Sequence, residues 1–247
     1  SKIRLAILGC GRISKNHFDS IEKHKKDVEL VSICDDDQSV LAIHEKKYNI
    51  KGYLDLASMI ENVDLDLVII CTPSGLHAEQ TEICSKKGIN IMTEKPMATR
   101  WNDGIRMVKA CDQAGVRLFV VKQNRNNPTI KLLQRAIKEN RFGKIHMVHL
   151  NVFWSRPQSY YDKDQWRGTL DLDGGALMNQ AIHYIDLLEW IIGPVKSLCS
   201  YKATRNRTIE AEDTAVIAIE WENVRNGFPK WSLKKTFRWS KICFEEH

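Results

Sequence analysis

The chain has 247 residues, of which 43% are hydrophobic, and this composition suits one large or two modest folded domains. Apolar stretches fall short of the roughly 20 residues that cross a bilayer, and the amino terminus enters a predicted strand without a leader, so we expect a cytoplasmic protein with no membrane partner. Seven scattered cysteines without CxxC spacing predict buried thiols, with no disulfide framework and no metal site.

The formal net charge of +6 is concentrated at the carboxyl end of the chain. Residues 224–247 contain six Lys or Arg against two Glu, which leaves +2 for all preceding residues. A recognition helix, a zinc finger and a single-strand-binding signature are all missing from the sequence. The charge therefore argues against a nucleic-acid partner.

The first half of the chain alternates short apolar runs with amphipathic stretches, which is the pattern of βαβ units. Predicted strands cover 5–8, 28–34, 67–70, 89–92 and 117–121, and predicted helices cover 14–25, 40–48, 77–87 and 101–114. This order predicts an α/β fold with a doubly wound parallel sheet. We expect this first domain to span residues 1–123.

Beyond Gln123 the alternation of strands and helices is lost. The pattern predicts a helix over 128–140, a long strand over 145–154, a helix over 176–192, and strands over 196–204 and 214–221. Because no helix separates the last two strands, we expect a second, α+β domain over 124–247, built on a mostly antiparallel sheet.

A glycine loop, Gly9-Cys10-Gly11, stands between the first predicted strand and a helix. Such a loop turns tightly and lets a pyrophosphate approach the backbone at the amino terminus of the helix. Asp35 ends the second predicted strand 24 positions after Gly11. With Asp36 beside it, this carboxylate suits the ribose hydroxyls of NAD and repels the extra phosphate of NADP. The sequence predicts NAD, and a plain glycine turn beside a solvated acidic loop is the alternative.

Two more segments directly follow predicted strands, so they reach the same carboxyl edge of the sheet. They are the Thr-Pro-Ser run at 72–74 and the Glu-Lys-Pro run at 94–96. Lys95 is held between Glu94 and a proline that restricts the backbone, which makes it a candidate base. A surface ion pair between Lys95 and Glu94 is the alternative.

The predicted helix over 176–192 carries a second set of polar residues. Asn179 and His183 are four residues apart and so share a face, with Asp186 one turn further and able to orient the imidazole. Together with Lys95 this face supplies a second titratable group and an amide donor, which suits acid–base work on an alcohol. A structural histidine is the alternative.

In combination these motifs resemble the Gfo/Idh/MocA oxidoreductases, over about residues 3–223. The resemblance implies a Rossmann domain joined to an open antiparallel sheet, with Lys95 serving hydride transfer at a sugar or cyclitol carbon, and a homo-oligomer built through that sheet. It assigns cofactor binding to Gly9, Gly11, Arg12, Ile13, Asp35, Asp36, Thr72, Pro73, Ser74, His77, Glu94, Gln123, Trp166 and Arg167.

Asn179 departs from the aspartate that many members of the family carry four positions before the histidine. This version, with the runs at 123–125 and 165–169, is similar to the branch that oxidises UDP-N-acetylglucosaminuronic acid at C3 for surface polysaccharides. The resemblance implies 2-oxoglutarate as a reoxidant of the bound cofactor. It also implies a catalytic and sugar-lining set of Lys95, Asn179 and His183.

Arg125 and Arg167 could each pair with a carboxylate or diphosphate of the substrate, because the guanidinium is planar and bidentate. A structural role for either arginine is the alternative. By the resemblance, Arg125 is assigned to the substrate and Arg167, with Trp166, to the cofactor.

Other functions remain open at this point. A dehydrogenase of another sugar or of a cyclitol would keep the same Lys95 and His183, whereas a non-catalytic NAD-sensing regulator of the same fold would need no base. The sequence after Asn223 lacks the further strands and helix usual in the family. We therefore expect a truncated second domain or an altered reading frame, and a genuine short variant is the alternative.

Overall fold

A six-stranded parallel sheet organises the first of two units in this computed structural model, which describes residues 2–222. The first unit ends at Val121 and the second begins at Lys122. The strand order is β3-β2-β1-β4-β5-β6, so it reverses between β1 and β4, as in a doubly wound sheet. The strands are Ile3–Leu8 (β1), Val28–Cys34 (β2), Lys51–Tyr53 (β3), Leu67–Ile70 (β4), Asn90–Thr93 (β5) and Leu118–Val120 (β6).

The helices of this unit connect successive strands and cover the sheet. They are Ser14–Lys23 (α1), Gln38–Tyr48 (α2), Leu56–Asn62 (α3), His77–Lys86 (α4) and Trp101–Ala114 (α5). Asp37 and Asp55 cap α2 and α3 through side-chain oxygens that accept backbone N–H groups. The predicted parallel α/β fold is confirmed.

Both faces of the parallel sheet are buried, which explains why its strands are mainly apolar. Alternate residues of β1 enter different clusters: Ala6 and Leu8 pack on one face, and Leu5 and Ile7 on the other. β3 and α3 were not predicted. The strand has three residues, with an exposed Lys51 and half-buried neighbours, and so gives no apolar run.

The second unit combines helices with an antiparallel strand pair, as predicted. Its helices are Pro128–Lys138 (α6), Gln158–Asp162 (α7), Gly175–Asn179 (α8) and Ile182–Ile192 (α9), and its strands are Val195–Ala203 (β7) and Thr214–Trp221 (β8). Asn127 caps α6 by accepting the N–H of Thr129, and Pro128 occupies the first turn.

Two predicted elements of the second unit were wrong. Residues 145–154 alternate in hydrophobicity but form no strand. Within residues 2–222, the sheet of this unit consists of β7 and β8 alone, so the segment has no strand to pair with. The helix predicted over 176–192 is two helices, broken at Gln180 and Ala181. The N–H of Ala181 reaches back to the carbonyl of Ala176 at 2.8 Å, a wider turn than an α-helix continues.

Within residues 2–222, every helix is too short or too polar to cross a membrane. The basic tail from Val224 and the cysteine at 243 lie outside the described residues.

The cysteines of the first unit test the packing of its core. Burial, with the charge of Asp35 beside it, raises the pKa of the Cys10 thiol to about 12, and burial raises that of Cys34 to about 12. Cys199 is exposed on β7. Because the thiolate is the nucleophile, alkylation of the native protein should modify Cys10 and Cys34 at least about 100-fold more slowly than Cys199. Peptide mass mapping measures this, and prompt labelling of Cys10 would contradict the described packing.

Candidate active site

The two glycines of the loop after β1 have different surroundings. Gly9 has a φ of +88°, and a Cβ on it would lie 2.9 Å from the backbone carbon of Cys71 and the nitrogen of Thr72. Gly11 has no heavy atom within 4 Å of the position a Cβ would take, among the residues described. The fold therefore requires Gly9, while Gly11 leaves open space above the loop.

Ser14 replaces the third glycine of the usual fingerprint and closes the loop. Its hydroxyl donates to the carbonyl of Gly11 at 2.6 Å, and the side chain is buried at the start of α1. Arg12 is exposed, and Ile13 packs partly buried against the core beneath the loop. Among the described residues, no side chain caps the amino terminus of α1.

The acidic residues at 35–37, which follow β2, have different hydrogen-bond partners. Asp35 accepts the N–H of Cys10 at 2.6 Å with one carboxylate oxygen and the N–H of Asp37 at 3.0 Å with the other. Asp37 caps α2 instead, and hydrogen bonds from Ser39 hold its pKa below the usual range. Asp36 is exposed. The carboxylate of Asp35 thus lies against the glycine loop.

These features fit a dinucleotide. The open space over Gly11 admits a pyrophosphate close to the backbone, and the uncapped start of α1 favours its negative charge. Asp35 lies beside the loop, and a carboxylate at this position suits the ribose hydroxyls of a dinucleotide.

His77 joins the loop after β4 to the loop after β5. The imidazole is fully buried, with Nε2 3.0 Å from the carbonyl oxygen of Thr72 and Nδ1 3.1 Å from that of Pro96. Burial lowers the pKa of this histidine. Because the ring is enclosed, its contribution to the predicted cofactor site is through the segments it holds. One of them, the run at 72–74, is also held by the Thr72 hydroxyl, which donates to Gln80 at 2.6 Å.

Glu94 is the buried anchor of the segment that carries Lys95. One oxygen of its carboxylate accepts from Nε2 of His17 at 2.8 Å, and the other accepts the backbone N–H of Lys95 at 3.2 Å. The Lys95 side chain is half-buried at the end of β5. Sequence analysis missed His17, because its partner lies 77 positions away in the chain.

In the second unit, Asp186 forms an ion pair with Arg125. Arg125 donates from Nε and Nη2 to the two carboxylate oxygens, at 2.8 and 2.7 Å, and Lys122 lies 3.5 Å away. Burial raises the pKa of Asp186, but the hydrogen bonds of Arg125 and the charge of Lys122 more than offset it, so the net shift is downward. The bidentate pair of Asp186 with Arg125 was not predicted from the sequence.

Asn179 is held by a carboxylate that sequence analysis did not select. It ends α8 and donates through Nδ2 to Asp173, whose other oxygen accepts the N–H of Gly168 at 2.7 Å. Asp173 is 1% exposed. His183 is buried in the first turn of α9, so the two residues belong to separate helices, and the prediction of one continuous helix that carries both is wrong.

Arg167 is fixed within its own segment. Its guanidinium donates to Asp164 and to the Tyr160 hydroxyl, both at 2.6 Å, and lies 4.4 Å from the ring centre of Trp166. Gln123 begins a short 3₁₀ turn, Gln123–Asn126. The predicted site residues therefore fall into two sets, with 9–95 in the first unit and 123–183 in the second.

The strand order, the glycine loop and Asp35 define the first unit as a dinucleotide-binding Rossmann domain. The family model for the Gfo/Idh/MocA oxidoreductases, NAD-binding Rossmann fold, matches residues 3–122. The model for the Gfo/Idh/MocA C-terminal domain matches residues 130–238, which extends past Asn223, where the sequence predicts the resemblance to end. The chain belongs to the Gfo/Idh/MocA oxidoreductase family, and its cofactor is NAD.

Two solved structures are similar to this chain over most of its length. The WlbA dehydrogenase from Chromobacterium violaceum, in complex with NADH and UDP-GlcNAcA, is 54% identical with a TM-score of 0.88, over 90% of this chain and 64% of that one. The Bordetella pertussis WlbA, with the same two ligands, is 53% identical with a TM-score of 0.88 and the same coverage.

A more distant relative is the D-apiose dehydrogenase of Paraburkholderia graminis. It is 29% identical over 88% of this chain and 57% of its own length. This chain thus spans less than two thirds of the length of each of these three proteins.

Alanine at the two loop glycines should have different effects, on the stability of the fold at Gly9 and on NADH binding at Gly11. Gly9→Ala should destabilise the fold by about 1–3 kcal/mol, because the methyl group meets the backbone of Cys71 and φ is positive. Gly11→Ala should leave the unfolding midpoint nearly unchanged and weaken NADH binding, since its methyl group enters open space where the pyrophosphate approaches. Urea unfolding and NADH fluorescence titration separate the two. Equal NADH affinity in Gly11→Ala would contradict the placement of the cofactor.

The pair between Arg125 and Asp186 predicts a pH-dependent loss of stability. Arg125→Leu should destabilise the protein by about 1–3 kcal/mol at pH 7, because a buried carboxylate loses its bidentate donor. The folded-state pKa of Asp186 is lowered, so the stability it contributes is present above its unfolded pKa and is lost as pH falls through the folded pKa.

The difference between wild type and Arg125→Leu should therefore narrow as pH falls below about 4. Urea unfolding at pH 7, 5 and 3.5 measures it. Arg135→Leu is the matched control, since Arg135 pairs with Glu139 on the exposed side of α6. A constant difference at all three pH values would contradict the assignment.

Proposed function

We propose that this chain is the NAD-binding and substrate-binding part of a dehydrogenase that oxidises C3 of UDP-N-acetylglucosaminuronic acid. The observation that carries the proposal is the 54% identity over 90% of the chain to a WlbA dehydrogenase whose structure holds NADH and UDP-GlcNAcA. A role in the cytoplasmic synthesis of surface polysaccharide, and a homo-oligomer as the working form, belong to the same proposal.

The cofactor would be held by the first unit. The glycine loop takes the pyrophosphate, Asp35 takes the ribose hydroxyls, and the segment at 72–74 lies at the same edge of the sheet. When bound, NAD supplies the acceptor for the hydride that leaves the oxidised carbon.

The reaction converts a secondary alcohol to a ketone and releases one proton. Lys95 is the proposed base: it removes the hydroxyl proton as the carbon–hydrogen bond breaks and the carbonyl bond forms. Glu94 fixes its backbone. Asn179 and His183 are the proposed contacts of the sugar hydroxyls, with His183 as the alternative base. Arg125 is already paired with Asp186, which supports a structural role for it over direct binding of the substrate.

A second candidate is a dehydrogenase of another sugar or of a cyclitol. The similarity to D-apiose dehydrogenase favours this candidate, since that relative is 29% identical over 88% of this chain. A substrate panel distinguishes the two candidates. A non-catalytic NAD-sensing protein would bind NADH and turn over no substrate of the panel.

The test is mass spectrometry of UDP-N-acetylglucosaminuronic acid incubated with the protein, NAD and 2-oxoglutarate. We expect loss of two hydrogens, and Lys95→Ala should lower the rate by about 10²- to 10⁴-fold while NADH still binds. Lys87→Ala, at the exposed end of α4, is the matched control. Unchanged turnover in Lys95→Ala would remove Lys95 from the mechanism, and an unreacted substrate in a sample that binds NADH would favour the second candidate.

A further inference from the structure

We propose that His17 is a positioning residue for Lys95, acting through the Glu94 carboxylate that joins helix α1 to the backbone of Lys95. The proposal rests on the function proposed above, in which Lys95 is the base. His17 has no part in the sequence motifs that define the glycine loop or the Glu-Lys-Pro segment.

The contact between His17 and Glu94 is largely shielded from water. Nε2 of His17 donates to Oε1 of Glu94 at 2.8 Å, and the side chains are 12% and 8% exposed. A hydrogen bond to a carboxylate in such surroundings is stronger than one in solvent, and its loss leaves a buried carboxylate oxygen without that donor. The side chain of Glu94 therefore has one strongly favoured orientation.

That orientation sets the backbone of Lys95. Oε2 of the same carboxylate accepts the N–H of Lys95 at 3.2 Å, and the N–H of Glu94 donates to the carbonyl of Ile70 at 2.9 Å. The two carboxylate oxygens thus connect an α1 side chain to the peptide on which the Lys95 side chain begins. Rotation of Glu94 would release that peptide.

The other end of the connection is the cofactor loop. His17 lies one turn into α1, and the first residue of that helix, Ser14, closes the glycine loop by donating to the carbonyl of Gly11 at 2.6 Å. Loop, helix, Glu94 and Lys95 form a continuous series of contacts. We therefore expect the chemical environment of Lys95 to respond to NADH, and to do so through His17.

The geometry distinguishes among replacements of His17. A glutamine places its amide nitrogen about where histidine has Nε2, whereas an asparagine side chain is too short to reach Glu94. Leucine keeps the volume and removes the donor. His24, at the exposed carboxyl end of the same helix, provides the matched control variant His24→Leu.

The experiment measures the labelling rate of Lys95 by acetic anhydride, with and without NADH, by peptide mass mapping, alongside kcat, KM and the NADH Kd. In His17→Leu we expect the Lys95 labelling rate to change by at least about threefold and kcat to fall about 10- to 100-fold, as for a displaced catalytic group. The substrate KM and the NADH Kd should stay within about twofold, since the proposal gives His17 no direct contact with either ligand. His17→Gln should restore both rates, and His24→Leu should match wild type.

Each outcome decides the proposal. A Lys95 labelling rate in folded His17→Leu equal to that of wild type overturns it, as does a His17→Gln variant no better than His17→Leu. If His17→Leu does not fold, the comparison of His17→Asn with His17→Gln gives the same decision. If wild type binds NADH without turning over the substrate, the proposed function fails, while the labelling rates still decide whether His17 positions Lys95.

Discussion

The close approach of Gly9 to the backbone of Cys71 and Thr72 is the constraint on which the candidate site depends. It joins the turn after β1 to the turn after β4 with no side chain between them. His77 then fixes the second turn to the segment after β5, from inside the protein. Three segments that are distant in sequence, the loops after β1, β4 and β5, are thus held together at the carboxyl edge of the sheet. Contacts of the backbone therefore determine where the polar side chains of these loops lie.

The parallel sheet was predictable because its strands are buried on both faces. The runs at 5–8 and 67–70 are apolar throughout, and the run at 28–34 is apolar except for Glu29 and Ser32, which is a strong local signal. β3 carries no such signal, since it is short and partly exposed. The segment at 145–154 shows the opposite case, a sequence signal for a strand where the structure has none. Its alternation satisfies the rule for a strand, but a strand also needs a hydrogen-bonded neighbour, which sequence alone does not supply.

The site was predictable where backbone conformation is encoded locally, and missed where two side chains meet through space. Gly9, Gly11 and Asp35 follow from loop and strand positions. The contacts of Glu94 with His17, and of Asp186 with Arg125, join residues 77 and 61 positions apart, and a single sequence does not report such pairs. The break between α8 and α9 was missed as well, because both helices are apolar and no Pro or Gly interrupts 176–192.

The hydrogen bond between Asn179 and Asp173 gives a reason for the departure at position 179 from the aspartate common in the family. Asp173 is buried and acts as an acceptor for Nδ2 of Asn179. An aspartate at 179 would set two carboxylates against each other, and one of them would have to hold a proton at neutral pH. An amide at 179 thus lets Asp173 keep its negative charge inside the protein, because the group that faces it is a donor rather than a second acid.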